Sequence, residues 1–550
     1  MSPVATTETI RSWLAVLAVA GGAVGVVAAV TSPVPDRPER TASPAASVEE
    51  PFEPPGSIVD EFFVAEWSRR GVAPAETVDD LTVFRRASLV LLGTVPSLEE
   101  IRLFEADARA DRLRRQIWAM LDDPRFGDYW AERLARAWVG VEGEPFLVYR
   151  RDRFTRWIAG QLAENRPYDE LARAVLSTDG LWTSEPAANF VTSAVANDVL
   201  DHNELAARTV RSFLGQRIDC AQCHDHPFAD WKQSEFQGLA AFFGQSAVSF
   251  QGVVDQPRLF ENDLEYTVDD ADGESSRVVE PSVPFLKECL PTRGARRDRL
   301  AAWVTDPQNE RFMRATVNRV WGLLFGRPYV EPVDDLPDPG DERTVLLDRL
   351  GDKFRESGYD LRRLIEEIVL SRPFRVSSSL PGADADGFRK SESAWAVFPI
   401  TRLRPEQVIG AMLQAGRLQT IDQNSNLIAR FLRFVREQDF VNQYGDPGET
   451  ELAPQSGTVS QALLRMNGQL TKEVFGANPF SSAGRLGSLT KDDARLIELC
   501  FLVTLTRRPT VAERDHFLSF VSGTTDDARR RATEDLLWSL VNSTEFSWNH

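Results

Sequence analysis

Four residues capable of metal-binding or redox chemistry lie within the seven positions 220–226. Cys220 and Cys223 are two of the four cysteines in the chain, and His224 and His226 are two of its five histidines. Two thiols three residues apart can form thioether bonds to the two vinyl groups of a haem, and the histidine that follows can bind the iron as proximal ligand. The spacing therefore predicts covalent attachment of haem c at Cys220, Cys223 and His224.

Other interpretations of the same residues stay open. Cys220 and Cys223 could bind zinc together with His224 or His226, with His202 or an aspartate completing a set of four ligands. The two cysteines could instead form a structural or redox-active disulfide. They could also be packing residues of an ordinary core.

The segment after the motif is rich in aromatic residues. Ser234 and Gln237 have the spacing of a capping box, which predicts the start of a helix there. Such a helix would carry an apolar stripe that excludes water from a haem and influences its potential. The residues predicted to surround the haem are Phe228, Trp231, Phe236, Leu239, Phe242 and Phe243.

A six-coordinate haem also needs a distal ligand, for which the chain offers few candidates. His202 is the nearest histidine, and Met313 and Met412 fall in helical patterns. A five-coordinate iron is equally compatible with the sequence. The remaining cysteines, Cys289 and Cys500, could pair in an oxidising compartment, but two free buried thiols are the favoured interpretation.

The elements that position the motif are predicted to be mainly helical. Ser97 and Glu100 form a capping box at the start of an apolar helical pattern. Strand-like patterning is concentrated near 246–285, where the Asp272-Gly273 pair indicates a hairpin turn. The expected fold class is therefore mainly α, multi-helical, with a small β-hairpin region near 246–285.

An internal duplication is visible within this helical pattern. Residues 120–140 resemble 303–326, and residues 165–184 resemble 357–378, in the same order. Each copy has an Asp-Pro turn, a tryptophan-bearing helix, a Tyr-Asp helix start and an apolar helix. We interpret this as a duplicated helical module, with the cysteine segment inserted after the first copy.

The N-terminal residues indicate export. Residues 13–30 are an uncharged apolar run preceded by Arg11, close to the minimum length for a membrane-spanning helix. Val27 and Ala29 also suit a signal-peptide cleavage site, so an anchor is favoured but a cleaved signal stays open. Residues 31–57 have the proline-rich composition of an extended linker. The remainder is expected on the periplasmic side of the cell envelope, membrane-anchored or secreted.

Charge and motifs exclude some classes of function. The net charge of −19 argues against nucleic-acid binding, which needs a cationic surface. The common hydrolase, metalloprotease, dinucleotide and phosphate-loop motifs are absent, so no enzyme class is indicated. The predicted partner is another envelope redox protein or a small electron acceptor.

Five segments carry a resemblance to a family. They are FRRASLVLLGTVPSLEEI at 84–101, FLGQRIDCAQCHDHPFADWKQSEFQGLAAFF at 213–243, RLAAWVTDPQNERFMRATVNRVWGLLFGRPYVEPVDDL at 299–336, GYDLRRLIEEIVLSRPFRVSS at 358–378 and DLLWSLVNSTEFSWNH at 535–550. The chain resembles planctomycete paralogous envelope proteins that join a cytochrome-c-like domain to a second domain of unknown function. The resemblance implies an exported, largely helical protein without an established reaction.

Residue by residue, the resemblance makes Cys220, Cys223 and His224 the haem-c residues and places His226 in the recurring CHDHP block. Relatives tend to be richer in asparagine and histidine where this chain has the acidic segment 332–344, which is predicted to be a solvated loop.

The predicted domains follow from these observations. They are a signal or anchor at 1–30, a linker at 31–57, a helical cytochrome-c-like domain at 58–245, a β-rich connector at 246–285 and a second helical domain at 286–550.

Overall fold

A computed structural model defines the arrangement of most of the chain. It describes residues 57–140, 149–196, 199–256, 258–259, 262–269, 275–421, 452, 458–476 and 481–550. The fold is mainly helical, and the strands of the described residues form only two-stranded antiparallel sheets, which confirms the predicted fold class. The predicted N-terminal anchor and nearly all of the linker lie outside the described residues. No helix among the described residues is both long and apolar enough to cross a membrane.

Among the described residues, ten helices form the first half of the protein. They are α1 (Ile58–Arg70), α2 (Asp80–Leu92), α3 (Leu98–Ala106), α4 (Arg112–Leu121), α5 (Pro124–Val139), α6 (Arg151–Ala163), α7 (Tyr168–Ser177), α8 (Asn189–Thr192), α9 (His202–Thr209) and α10 (Gln233–Ala240). The predicted capping box at α3 is confirmed. The Ser97 hydroxyl accepts from the Glu100 N–H at 3.0 Å, and the Glu100 carboxylate accepts from the Ser97 N–H at 2.7 Å.

The described strands form short hairpins, and the alternating pattern predicts those within 246–285. A first hairpin pairs β1 (Val195–Ala196) with β2 (Val199–Leu200) before α9. Within 246–285, three more pair β3 (Ser246–Ser249) with β4 (Gly252–Asp255), β5 (Arg258–Leu259) with β6 (Asn262–Asp263), and β7 (Thr267–Asp269) with β8 (Ser276–Val278). The predicted turn at 272–273 lies outside the described residues, but the strands on both sides of it pair as expected.

Thirteen helices form the part of the second half that the structure describes. They are α11 (Arg296–Val304), α12 (Glu310–Phe325), α13 (Val345–Glu356), α14 (Leu361–Val369), α15 (Arg372–Arg375), α16 (Ala385–Ser393), α17 (Pro405–Ala415), α18 (Val459–Asn467), α19 (Gln469–Phe475), α20 (Ser482–Leu489), α21 (Asp493–Leu505), α22 (Val511–Val521) and α23 (Asp526–Val541). β9 (Thr401–Arg402) pairs with β10 (Trp548–Asn549) near the C-terminus.

The repeated segments form corresponding elements. The two tryptophan-bearing segments become α5 and α12, each of 16 residues. The two Tyr-Asp helix starts meet each other, since the Tyr168 N–H donates to the Tyr359 carbonyl at 3.1 Å. Both copies contribute to one core, in which Trp130, Trp138, Trp303 and Trp321 are fully buried.

Buried arginines connect the two halves of this core. The fully buried Arg297 of α11 donates to the Asp255 carboxylate at 2.8 Å and also pairs with Asp179. Arg133 of α5 pairs with Glu406 of α17 at 2.8 Å, and Arg136 reaches the same carboxylate at 3.0 Å. A buried carboxylate needs such partners because its desolvation is costly.

The Glu406 cluster predicts a pH-dependent contribution to stability. Burial alone would raise the pKa of Glu406, but Arg133 and Arg136 lower it to about 2. Because the pKa of Glu406 is lower in the folded than in the unfolded protein, its carboxylate stabilises the fold fully above the unfolded-state pKa of about 4.3. This stabilisation is lost as the pH falls from there through the folded-state pKa. Glu406→Gln should therefore lower the free energy of unfolding at pH 7 by about 3–5 kcal/mol, since it leaves buried cations uncompensated.

Chemical denaturation of wild type and E406Q between pH 7 and pH 2.5 tests this. The difference between the two proteins should shrink on acidification from about pH 4.3 downwards. A difference that stays constant over this range would show that the ion pair does not supply the lost stability. Arg389→Met, which removes an exposed pair with Asp386, serves as the control and should behave like wild type.

Candidate functional site

The cysteine motif lies on an exposed loop between two helical segments. A single π-helical turn, Val210–Leu214, ends at Gly215, whose φ of 61° is in the left-handed region. A side chain at this position would also meet Ala315 Cβ at 3.1 Å and Leu336 Cδ1 at 3.2 Å. Glycine is therefore required both by the backbone conformation and by the close approach of the second half. We call residues 215–232 the CxxCH loop.

The second half of the protein holds the start of the CxxCH loop. The Leu336 N–H donates to the Gly215 carbonyl at 2.7 Å, and the Gln216 amide donates to the Leu336 carbonyl at 3.1 Å. Arg217 pairs with Asp334 at 2.8 Å. The acidic segment 332–344, predicted to be a solvated loop, thus contacts the CxxCH loop. Only 13% of the Asp334 side chain is exposed.

The other end of the loop is tied to the same place. The Trp231 indole donates to Gln216 Oε1 at 3.1 Å, and the Trp231 carbonyl accepts from the His226 N–H at 2.8 Å. Gln233 donates through Nε2 to the Cys223 carbonyl at 3.0 Å, and its own N–H donates to the Asp225 carboxylate at 2.9 Å. The loop is therefore held in a defined conformation by its own polar groups.

The two cysteines of the motif are exposed on this loop. Cys220 lies in the 3₁₀ turn Asp219–Gln222, and Cys223 follows it directly. Ala221 between them is fully buried, while both cysteines are exposed free thiols. The loop therefore presents two accessible sulfur atoms within four residues.

Hydrogen bonds distinguish the two histidines of the loop. His224 Nδ1 lies 2.7 Å from the Asp225 carbonyl, which can only accept, so in the neutral ring Nδ1 carries the proton and Nε2 keeps its lone pair. His226 Nδ1 instead accepts from the Phe228 N–H at 3.2 Å, so in the neutral ring Nε2 is protonated. His224 is therefore ready to bind a metal through Nε2, and His226 is engaged in the fold of the loop.

The other predicted ligands lie elsewhere. His202 is the first residue of α9, its ring contacts Tyr266 with centroids 6.4 Å apart, and burial lowers its pKa. Among the described residues, which include all five candidate zinc ligands, no group of three or more histidine, cysteine, aspartate or glutamate side chains is arranged to hold a metal. Met313 and Met412, the candidate distal ligands, are buried in the core.

The predicted aromatic surrounding needs a correction. Helix α10 begins at Gln233 rather than after Ser234, because the Glu235 carboxylate accepts from the Lys232 N–H at 2.9 Å. Phe228 and Trp231 precede the helix, and 94% of Phe228 is exposed. The other four members of the set are fully buried in the main core and are not on the exposed side of the loop: Phe236, Leu239, Phe242 and Phe243.

The sequence missed the residues that hold the loop. Gln216 and Gln233 carry no local motif, and the main partner of Gln216 lies 120 positions away at Leu336. Trp231 was expected to be part of a haem wall, but its indole N–H has a hydrogen-bonding role. The Pro227 that follows the histidines is consistent with a loop rather than a continued helix.

Comparisons with known proteins agree with a two-part chain. Residues 58–248 match the family model PSCyt2, described as a protein of unknown function (DUF1549). Residues 296–521 match the family model PSD1, described as a protein of unknown function (DUF1553). No curated protein and no solved structure matches the chain.

The chain is thus a tandem of these two domains of unknown function. Cys220 and Cys223 lie in the first domain, and the residues that hold the start of the loop, Asp334 and Leu336, lie in the second. The predicted boundaries at 245 and 285 stay predictions.

The exposure of the thiols predicts their reactivity. In haem-free folded protein, Cys220 and Cys223 should react with a maleimide first and Cys289, which is half-buried, more slowly. Cys500 is fully buried and burial raises the pKa of its thiol, so it should react only after unfolding. Peptide mass spectrometry over a time course measures the order. Protection of Cys220 and Cys223 in haem-free protein would contradict the described loop.

Proposed function

We propose that this protein is an exported or membrane-tethered c-type haem protein that transfers electrons or senses redox state in the cell envelope. One observation carries the proposal: Cys220 and Cys223 are exposed free thiols on the CxxCH loop, directly before His224, whose Nδ1 contacts a carbonyl so that Nε2 of the neutral ring keeps its lone pair. These are the groups that thioether formation and iron binding require, in the order in which they are required.

The residues of the loop fit the chemistry of a covalently bound haem. Neither thiol has a disulfide partner, and the Nδ1 proton of His224 is bound to a carbonyl, as is usual for a metal-binding histidine. When bound, the haem supplies one-electron transfer at its iron. The protein would hold it through Cys220 and Cys223 and bind the iron through His224, while His226 would keep its bond to the Phe228 N–H.

The exposed position of the loop would lower the reduction potential of a haem bound there. Phe236, Phe242 and Phe243 are buried in the core, and Phe228 is exposed, so the protein offers the haem a surface rather than an enclosed apolar site. Solvent exposure stabilises the more highly charged oxidised state and lowers the potential. An exposed haem edge would also suit direct contact with an envelope redox protein or a small electron acceptor. The apolar run at 13–30 supports placement at a membrane.

Zinc bound by the same residues, or a helical scaffold without a cofactor, are the alternatives. Zinc in a structural site takes four ligands, and the described residues do not gather even three suitable side chains in one group. We therefore propose haem for this loop and treat a zinc-loaded or colourless product as an outcome of the experiment.

The two histidines provide a matched pair of variants. The full chain is produced in a host with haem-c maturation machinery, as wild type, His224→Ala and His226→Ala. Wild type and H226A should retain a Soret band after denaturation and acid extraction, because the thioether bonds survive. H224A should carry little haem, or haem with an altered iron spectrum, because the proximal ligand is missing.

Circular dichroism of all three proteins provides the control. Both substitutions lie on an exposed loop outside the core, so the helical signal should be unchanged. Zinc found by elemental analysis in place of a chromophore would overturn the proposal in favour of a metal site. Wild-type protein without haem or zinc would leave the scaffold interpretation.

A further inference from the structure

We propose that Gln216 is a positioning residue for His224, because it joins the second domain to both ends of the CxxCH loop. This inference rests on the proposed function and adds a role for the second domain, which then determines the orientation of the haem ligand. Gln216 precedes the first cysteine by four residues and would not itself touch the haem.

Both ends of the Gln216 amide are used. Its Nε2 donates to the Leu336 carbonyl at 3.1 Å, and its Oε1 accepts from the Trp231 indole at 3.1 Å. Only 5% of Gln216 is exposed, so water does not readily replace either partner. A glutamine meets this requirement because it offers a donor and an acceptor without a charge.

The connection continues from Trp231 towards the ligand. The Trp231 carbonyl accepts from the His226 N–H at 2.8 Å, two residues after His224. Further support comes from Gln233, which donates to the Cys223 carbonyl at 3.0 Å and to the Asp225 carboxylate at 2.9 Å, on the two sides of His224. Release of Trp231 would therefore free the segment that contains His224 from one of its attachments.

The second domain is the fixed end of this connection. Leu336 is buried, and its N–H donates to the Gly215 carbonyl at 2.7 Å, while Arg217 pairs with Asp334. The segment 334–336 therefore meets the loop through three successive residues, 215–217. The loop depends on the second domain for its conformation, even though all the haem-binding residues belong to the first.

The test compares Gln216→Met with Gln407→Met in the full chain. Methionine has a similar length to glutamine but makes neither hydrogen bond. Gln407 is a matched control, since it is also buried, at 6% exposure, and its amide also donates to a distant main-chain carbonyl, that of Leu89 at 2.9 Å. Both variants lose comparable bonds, but only Q216M affects the CxxCH loop.

Two measurements are made on each protein. In haem-free protein, hydrogen exchange of the peptide 219–231 should be about five-fold faster in Q216M than in wild type, as expected for the loss of about one net hydrogen bond. In haem-loaded protein, the midpoint potential should fall and the axial-ligand signals in electron paramagnetic resonance should broaden. Q407M should match wild type in both measurements, even if its melting temperature is lower.

A second variant keeps the inference testable if Q216M does not fold. Trp231→Phe retains the ring and loses only the indole donor, and it should reproduce both changes; combined with Q216M it should add little to them. Wild-type exchange in Q216M or W231F would overturn the inference, as would faster exchange with an unchanged potential. If wild type carries no haem, the proposed function fails, whereas the exchange result still shows whether Gln216 holds the loop.

Discussion

The structure depends on hydrogen bonds between the second domain and two neighbouring segments of the first. These segments are the start of the CxxCH loop and the helical turn that precedes it. Arg319 donates to the Ser212 carbonyl at 2.6 Å, the Leu336 N–H to the Gly215 carbonyl, and Gln216 to the Leu336 carbonyl. Bonds to the main chain determine where the loop begins without covering its side chains. The thiols and His224 can therefore be exposed and still have a defined arrangement.

This arrangement separates folding from cofactor binding. The core is built from tryptophans, phenylalanines and aliphatic residues of both domains. The loop contributes Ile218 and Ala221 to this core, while Cys220, Cys223 and His224 stay outside it. A haem attached to the loop would be a surface group whose potential depends on solvent and on His224 rather than on an enclosing pocket. The protein would then resemble a rigid support that presents a redox group to a partner, with both domains contributing to the support.

The sequence was informative about local features and uninformative about distant ones. The capping box at Ser97, the hairpins within 246–285 and the duplicated helices could be predicted because their signals lie within a few residues. The role of Gln216 could not, since its partners come from Leu336 and from a tryptophan that the pattern assigned to a haem wall. The aromatic stripe was assigned to a haem wall because burial in a core produces the same sequence pattern as a haem pocket.

The central claim is that Cys220 and Cys223 carry a covalently bound haem. Its most direct test is the intact mass and visible spectrum of the full-length protein purified from its native host, followed by mass spectrometry of the peptide that contains both cysteines. The account predicts a mass increased by one haem, a Soret band that survives denaturation, and both thiols unavailable for alkylation. A colourless protein of unmodified mass, with Cys220 and Cys223 free to react, would contradict it.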